Sequence, residues 1–247
     1  MIIDVNAFIG KWPHWPIHAS SGSEVVEALR EWKIDRAVIC STRSLFVDCE
    51  DGNREAEAAR AAHPGEFETF ACLAPAEQHD FAAYSRRGFR GVRIYPQYHS
   101  YHPLYVPFVD ALCEDAAARG WPVLLPHRSI MNWSVPLLDL GWMAALVERH
   151  PRVVWILAGI NYLYEYQMAE MLLRRYPSVH VETSCIMGFD AVAKLARSFG
   201  ADRVLFGSGA PLQNGGAGVA KILHAKITDT EREAILEGNA RRLLNLK

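Results

Sequence analysis

Gly120-Trp121-Pro122-Val123-Leu124-Leu125-Pro126-His127-Arg128 and His150-Pro151-Arg152-Val153-Val154-Trp155-Ile156-Leu157-Ala158-Gly159 are the two stretches whose reading decides the fold. Each opens on a turn signal, continues as an almost unbroken apolar run and stops at the residues where a loop would begin. A strand with no polar face is buried on both sides, as in a parallel sheet covered by helices. Between the two runs, Leu137–Arg149 has helical spacing, so the unit reads strand, helix, strand.

Outward from this unit the pattern recurs along the whole chain. Strand-like runs fall at Ile2–Val5, Ala37–Cys40, Phe67–Leu73, Gly91–Tyr95, Pro122–Leu125, Val153–Ala158, Val179–Thr183 and Arg203–Phe206. Helical patterns separate them at Ser23–Trp32, Asn53–Ala62, Glu77–Arg87, Val106–Arg119, Leu137–Arg149, Tyr164–Arg175, Phe189–Phe199 and Gly218–Ala225, and Asp229–Leu244 closes the series. Eight strands, each followed by a helix at a spacing of roughly 30 residues, predict an α/β fold of the (β/α)8 barrel type. Residues 1–247 are expected to form one domain, since no linker, charge block or low-complexity segment interrupts them. The rival, a doubly wound open sheet, would carry a glycine-rich phosphate turn after an early strand, and Asp4–Gly10 is not one.

Composition narrows the function. Of 247 residues, 50% are hydrophobic and 22% charged, with a net charge of −2, so there is no basic footprint for nucleic acid or an anionic membrane. The apolar runs are far too short to span a bilayer, and Met1-Ile2-Ile3-Asp4-Val5 opens as a strand rather than a leader; a cytoplasmic protein is expected. Five scattered cysteines with no C-x-x-C spacing read as reduced thiols and not as a metal site.

In a barrel of this kind, chemistry sits where strands end and the following loops begin. Read at those places, the chain resembles the amidohydrolase superfamily, in its compact branch of decarboxylases and lactone hydrolases. Ile2-Ile3-Asp4-Val5, Gly88-Phe89-Arg90-Gly91-Val92-Arg93-Ile94, Trp121–Leu125, Val153–Ala158, Val181-Glu182-Thr183-Ser184, Arg203–Ser208 with Ala210-Pro211, and Gly238–Leu244 resemble that family's strands and final helix in order. The resemblance implies a metal ion held by nitrogen and oxygen ligands at four strand ends. Here the positions that should supply those ligands are Asn6, Phe8, Pro126 (with His127 beside it), Gly159 and Gly209. All five have lost them, so no metal or other cofactor is expected in the usual place. Tyr95–Tyr101, Arg128 and Gly159-Ile160-Asn161-Tyr162 also resemble a subset of the family, without implying an activity.

The remaining candidates are polar residues near strand ends. Arg93, Arg128, Asn161, Asn6 and Ser184 are expected to bind substrate, because arginines grip carboxylates in two-point fashion. His99 and, second, Glu182 are the candidate acid–base residues. The bland alternatives are an ion pair between Arg93 and Asp4 or Glu182, loop packing for His99 and His102, and an acid partner for Arg43. His127, one residue off the ligand position, is expected to face away from the pocket. Ser208 has no nucleophile elbow and Cys185 no base. Gln213–Gly218 reads as a mobile glycine-rich loop, and Trp12–Pro16 as a roof or a subunit contact.

These observations lead to an expected metal-independent hydrolase acting on a small carboxylate-bearing, lactone-like molecule. Two alternatives remain. One is a noncatalytic barrel that binds a ligand or pairs with itself or a homologous subunit. The other is a metal enzyme rebuilt on His99, His102, His127 or Glu182.

Overall fold

The computed structural model describes residues 1–75, 79–132 and 135–246. Part of the expected helix Glu77–Arg87 therefore lies outside the described residues, and what is seen of it is α4, Phe81–Arg86. The strands are β1 (Ile3–Ile9), β2 (Arg36–Ser41), β3 (Phe67–Thr69), β4 (Ala71–Cys72), β5 (Val92–Arg93), β6 (Pro122–Pro126), β7 (Val154–Ala158), β8 (Val179–Glu182) and β9 (Val204–Leu205). All pairings are parallel and run in sequence order, as β1-β2-β3 and as β4 through β9. Only Phe70 separates β3 from β4, so together they make the expected third strand.

The ends of this sheet meet. Val5 N donates to Phe206 O at 2.9 Å, Gly209 N to Asn6 O at 2.8 Å and Phe8 N to Ala210 O at 2.7 Å, joining β1 to the segment after β9. The result is the expected (β/α)8 barrel. In β1 the register slips between Asp4 and Ala7, a bulge that re-aims the side chains around Asn6. Ile3, Val5, Val38, Phe70, Leu124, Ile156, Ala158 and Leu205 fill the lower interior, and Ala240 and Leu244 of the last helix join them. Most other buried apolar residues lie between barrel and helices. Among the described residues, no helix is long and apolar enough to cross a membrane.

The helices are α1 (Gly22–Glu31), α2 (Arg43–Phe46), α3 (Cys49–Ala62), α4, α5 (Pro96–His99), α6 (Pro107–Arg119), α7 (Leu140–Arg149), α8 (Leu163–Arg175), α9 (Ala191–Phe199), α10 (Gly215–Leu223), α11 (Asp229–Glu233) and α12 (Asn239–Leu244). Three differences from expectation matter. Helix α3 starts at Cys49, four residues early, because the Asp48 carboxylate caps Asp51 N at 2.8 Å. The glycine-rich segment is not a mobile loop from Gly215 onward, because Asn214 caps α10 and Gly215 lies so close to Trp32 that a Cβ would meet the indole at 2.4 Å. The last helix is interrupted by a π-helical turn, Ala234–Gly238, where the Ile235 carbonyl accepts Phe206 N at 3.0 Å.

Candidate functional site

The upper barrel interior holds Asp4, Asn6, Arg93, Glu182, Ser184 and Ser208, all buried. Charges are costly there unless hydrogen-bonded. Arg93 donates from Nη1 to Asn6 Oδ1 at 2.9 Å, and from Nη2 to Val38 O at 2.7 Å and Val5 O at 3.3 Å. It also lies over the Phe8 and Phe70 rings. The bland alternative for Arg93, an ion pair with Asp4 or Glu182, is replaced by a bridge through Asn6. Asn6 takes a hydrogen bond from Arg93 and gives one, from Nδ2, to Glu182 Oε1 at 3.4 Å. Glu182 accepts in addition from Gly159 N at 3.0 Å, Ser184 Oγ at 2.7 Å and Ser184 N at 2.6 Å.

Asp4 accepts from Asn6 N at 2.8 Å, from Ser208 N at 3.0 Å and from the Ser208 hydroxyl. Burial raises its pKa to about 6, despite the lowering by these donors. The sequence reading treated Asp4 only as a partner for Arg93; here it is a carboxyl group poised to exchange a proton near neutrality.

A second group forms beyond β6. The Arg128 guanidinium pairs with Glu165 Oε1 and packs over the Tyr162 ring. Glu165 Oε2 accepts Asn161 N at 2.7 Å and Tyr162 N at 3.1 Å, so the acid also caps α8. Asn161 Oδ1 accepts Met187 N at 3.0 Å. His127 points the same way, with Nδ1 at 2.6 Å from Leu138 O and Nε2 at 3.4 Å from Glu165, and burial lowers its pKa. Glu165 was not singled out in the sequence. Its signal was an acid three residues after Tyr162 at a helix start.

His99 belongs to a third group. Helix α5 carries it toward the side of β2 and β4, where Nε2 lies 2.8 Å from Ser44 O and 3.8 Å from Cys49 Sγ. Burial pulls the imidazole pKa down, but Cys49, the Ser44 carbonyl and Cys40 together outweigh it and the net shift is upward. The expected substrate-binding residues Arg93, Arg128 and Asn161 and the candidate acid–base residue His99 are therefore divided among separate groups. Arg128 and Asn161 share Glu165, Arg93 holds Asn6, and His99 joins cysteines. His102 stacks on Trp142 with ring centroids 3.9 Å apart, and Arg43 pairs with Asp51 at 3.3 Å, both the bland outcomes.

Over the mouth lies an apolar roof. Trp12, Ile130 and Val135 form a buried cluster, with Trp15, Ile17, Phe46 and Leu212 packed on it. Trp12 meets Phe46 at 5.2 Å and Phe46 meets Tyr98 at 5.4 Å, while Tyr98 OH is 2.6 Å from Ser129 Oγ. In the roof and the groups around the mouth, some donors have no acceptor among the described residues: Trp12 Nε1, Arg93 Nε and Arg128 Nε.

The residues at the implied metal positions do not fit a metal. Phe8, Pro126, Gly159 and Gly209 offer no side-chain donor, and the Asn6 amide is engaged by Arg93 and Glu182. Gly159 cannot even be exchanged for a ligand residue in place. Its φ is +70°, and a Cβ there would lie 2.2 Å from Arg128 O and 2.7 Å from Arg128 N.

Comparison with known proteins agrees with this architecture. No curated protein sequence matches the chain. Among solved structures, 2,6-dihydroxybenzoate decarboxylase from Rhizobium superposes with a TM-score of 0.76 at 17% identity, covering 100% of this chain and 99% of that one. A Pseudomonas putida protein provisionally assigned as a 2-pyrone-4,6-dicarboxylic acid hydrolase gives 0.76 at 20% identity, covering 100% and 98%. The 5-carboxyvanillate decarboxylase of Sphingomonas paucimobilis gives 0.74 at 16%, covering 100% and 99%. At these identities the likeness concerns the fold. Residues 46–246 match the amidohydrolase family, and with most of its length so matched the chain belongs to that family.

Proposed function

We propose that this protein is a metal-independent hydrolase of a small, carboxylate-bearing molecule with a lactone-like bond, acting in the cytoplasm. The observation that carries the reading is that three buried donors in separate groups, Trp12 Nε1, Arg93 Nε and Arg128 Nε, have no acceptor among the described residues. A buried donor without an acceptor costs about 1–3 kcal/mol, and more when charged. A substrate carboxylate supplies acceptors and negative charge together, the natural partner of guanidinium groups. The likeness in fold to a protein assigned to a dicarboxylated pyrone, which is a lactone, supports the same class.

Glu182 is the base in this reading, ahead of His99, which is turned toward thiols. A water adds its oxygen to the substrate carbonyl carbon and passes a proton to Glu182. Asn6 and Ser184, which hold Glu182, orient that carboxylate. Collapse breaks the ring carbon–oxygen bond, and the proton returns from Glu182 to the departing oxygen. The roof has to lift to admit substrate and excludes bulk water once closed.

The test is a panel of carboxylated lactones followed by the loss of lactone absorbance. Turnover that added zinc or manganese does not raise, that Glu182→Gln lowers at least 100-fold, and whose KM rises in Arg128→Met is the expected result. Neither turnover nor binding across the panel sinks it. A second reading, a noncatalytic ligand-binding barrel, is favoured by the packed roof and by the Arg128–Glu165 ion pair that occupies one guanidinium edge. Binding of such acids without turnover selects it.

A further inference from the structure

On the side of the mouth away from Glu165, four potential ligand atoms from separate segments face one point. Cys49 is the first residue of α3, Cys72 ends β4, His99 ends α5, and Ser44 lies in α2. Cys49 Sγ and Cys72 Sγ are 3.9 Å apart, and Cys49 Sγ is 3.8 Å from His99 Nε2. The Ser44 carbonyl oxygen is 3.5 Å from Cys49 Sγ, 3.8 Å from Cys72 Sγ and 2.8 Å from His99 Nε2. The two sulfurs and the imidazole nitrogen all lie within 4.8 Å of one another.

These spacings have a chemical meaning. With Zn–S bonds of about 2.3 Å and Zn–N bonds of about 2.0 Å, a tetrahedral zinc ion spaces its sulfurs about 3.8 Å apart and a sulfur from a nitrogen about 3.5 Å. We propose that Cys49, Cys72 and His99, closed by the Ser44 carbonyl, form a site for a thiophilic cation such as zinc, separate from the barrel position the family uses.

The surroundings are built for this approach. Asn53 fixes Cys72 from both sides, accepting its N–H at 2.8 Å and donating to its carbonyl at 2.9 Å. Gly52 lets α3 press on the Ser44 turn, where a Cβ would lie 2.3 Å from Ser44 N. Cys49 and Cys72 are buried while His99 is half-buried, so one ligand faces the route of entry. His99 Nδ1 is a buried nitrogen without a partner among the described residues. That leaves the ring free to move its proton from Nε2 to Nδ1 when Nε2 takes a metal. Zinc binding releases the two thiol protons and leaves the imidazole neutral, with no oxidant or reductant involved. The ion would tie α2, α3 and α5 to the barrel, a structural use that does not depend on the chemistry proposed for Glu182.

The experiment is a metal titration of the reduced full-length protein. Cobalt(II) serves as the optical probe, and zinc affinity is read by competition with a chromogenic chelator. One equivalent per chain is expected, with thiolate-to-cobalt charge-transfer absorption and tetrahedral visible bands. Cys49→Ala and His99→Gln are expected to weaken zinc at least 100-fold, while Cys113→Ala, a buried thiol in α6, leaves it unchanged. The wild-type cobalt spectrum needs no variant to fold. Absence of the charge-transfer band overturns the proposal. So does zinc binding that Cys49→Ala and His99→Gln both retain, or a Cys49–Cys72 disulfide whose reduction yields no metal uptake.

Discussion

Replacing Gly159 by Ala adds a single methyl group at a place the sequence reading identified only as a lost ligand. The backbone there is left-handed, with φ of +70°, and the new Cβ would meet Arg128 O at 2.2 Å, Arg128 N at 2.7 Å and Arg128 Cγ at 2.8 Å. The left-handed conformation costs a non-glycine residue about 1–2 kcal/mol. Backbone atoms cannot step aside as a side-chain tip can, so overpacking adds about 1–3 kcal/mol. The total, roughly 2–5 kcal/mol, lowers Tm by roughly 5–15 °C in a chain of this size. Gly65→Ala is the internal control, because Gly65 has φ of +89° but nothing within 4 Å of its Cβ. It should show the conformational cost alone. Thermal melts followed by circular dichroism compare the two. If Gly159→Ala melts no lower than Gly65→Ala, the Arg128 backbone does not fill that space, and the argument that no ligand residue fits at Gly159 fails with it.

Two further outcomes follow from buried charges. Glu165→Ala strands Arg128 in the interior and should cost about 3–5 kcal/mol in urea denaturation; a loss under 1 kcal/mol would mean that Arg128 finds another partner or water. Asp4 and His180 should oppose one another between pH 4 and 6. The Asp4 pKa is raised by burial to about 6, so its contribution is fully present below the unfolded value near 3.8 and is lost as pH rises through 6. Burial lowers the His180 pKa to about 4, so its contribution is present above 6.5 and is lost as pH falls toward 4. At 1.36 kcal/mol per pKa unit each is worth about 3 kcal/mol, and the two nearly cancel. Compared with the parent chain, His180→Gln should therefore remove about 3 kcal/mol of the stability lost as the pH is lowered from 6 to 4; a pH dependence identical to the parent's contradicts the His180 assignment.

The barrel was legible because its strands are buried on both faces. Val123–Leu125 and Trp155–Ala158 have no polar alternation to confuse with another fold. What stayed hidden depends on places where short segments turn. Helices α2 and α5 have four residues each, too few for any periodicity, yet they carry Ser44 and His99 to the cysteines. The cysteines stand 23 residues apart with no recognisable spacing, and only the meeting of α3 with β4 joins them. Helix α3 was expected from Asn53 but runs through Gly52, a poor helix residue by propensity that close packing on Ser44 requires. Asn6 and Glu182 were legible as polar strand-end residues, but not as neighbours bridged to Arg93, because the β1 bulge around Asn6 leaves no mark in composition.

The loss of metal ligands was not a simple erosion of the site. A metal ligand offers a lone pair to a cation. At two of the positions where the family resemblance places such ligands, Asn6 and Gly159, this chain instead presents an N–H to one carboxylate oxygen, Glu182 Oε1. Ser184 adds its hydroxyl to the same oxygen. These positions thus form a cradle of donors around an anion, with the Arg93 charge one amide away through Asn6. A decaying metal site would be expected to leave carboxylates without counter-charge, which the dry interior penalises. Here Asp4 and Glu182 each have several donors, and among the described residues the buried side-chain atoms without a partner include the donors Trp12 Nε1, Arg93 Nε and Arg128 Nε, with Tyr101 OH, His99 Nδ1 and one acceptor, Gln97 Oε1. An excess of buried donors favours a ligand rich in acceptors. These N–H groups around Glu182, together with the unpartnered guanidinium nitrogens, are why carboxylated molecules head the panel proposed for testing.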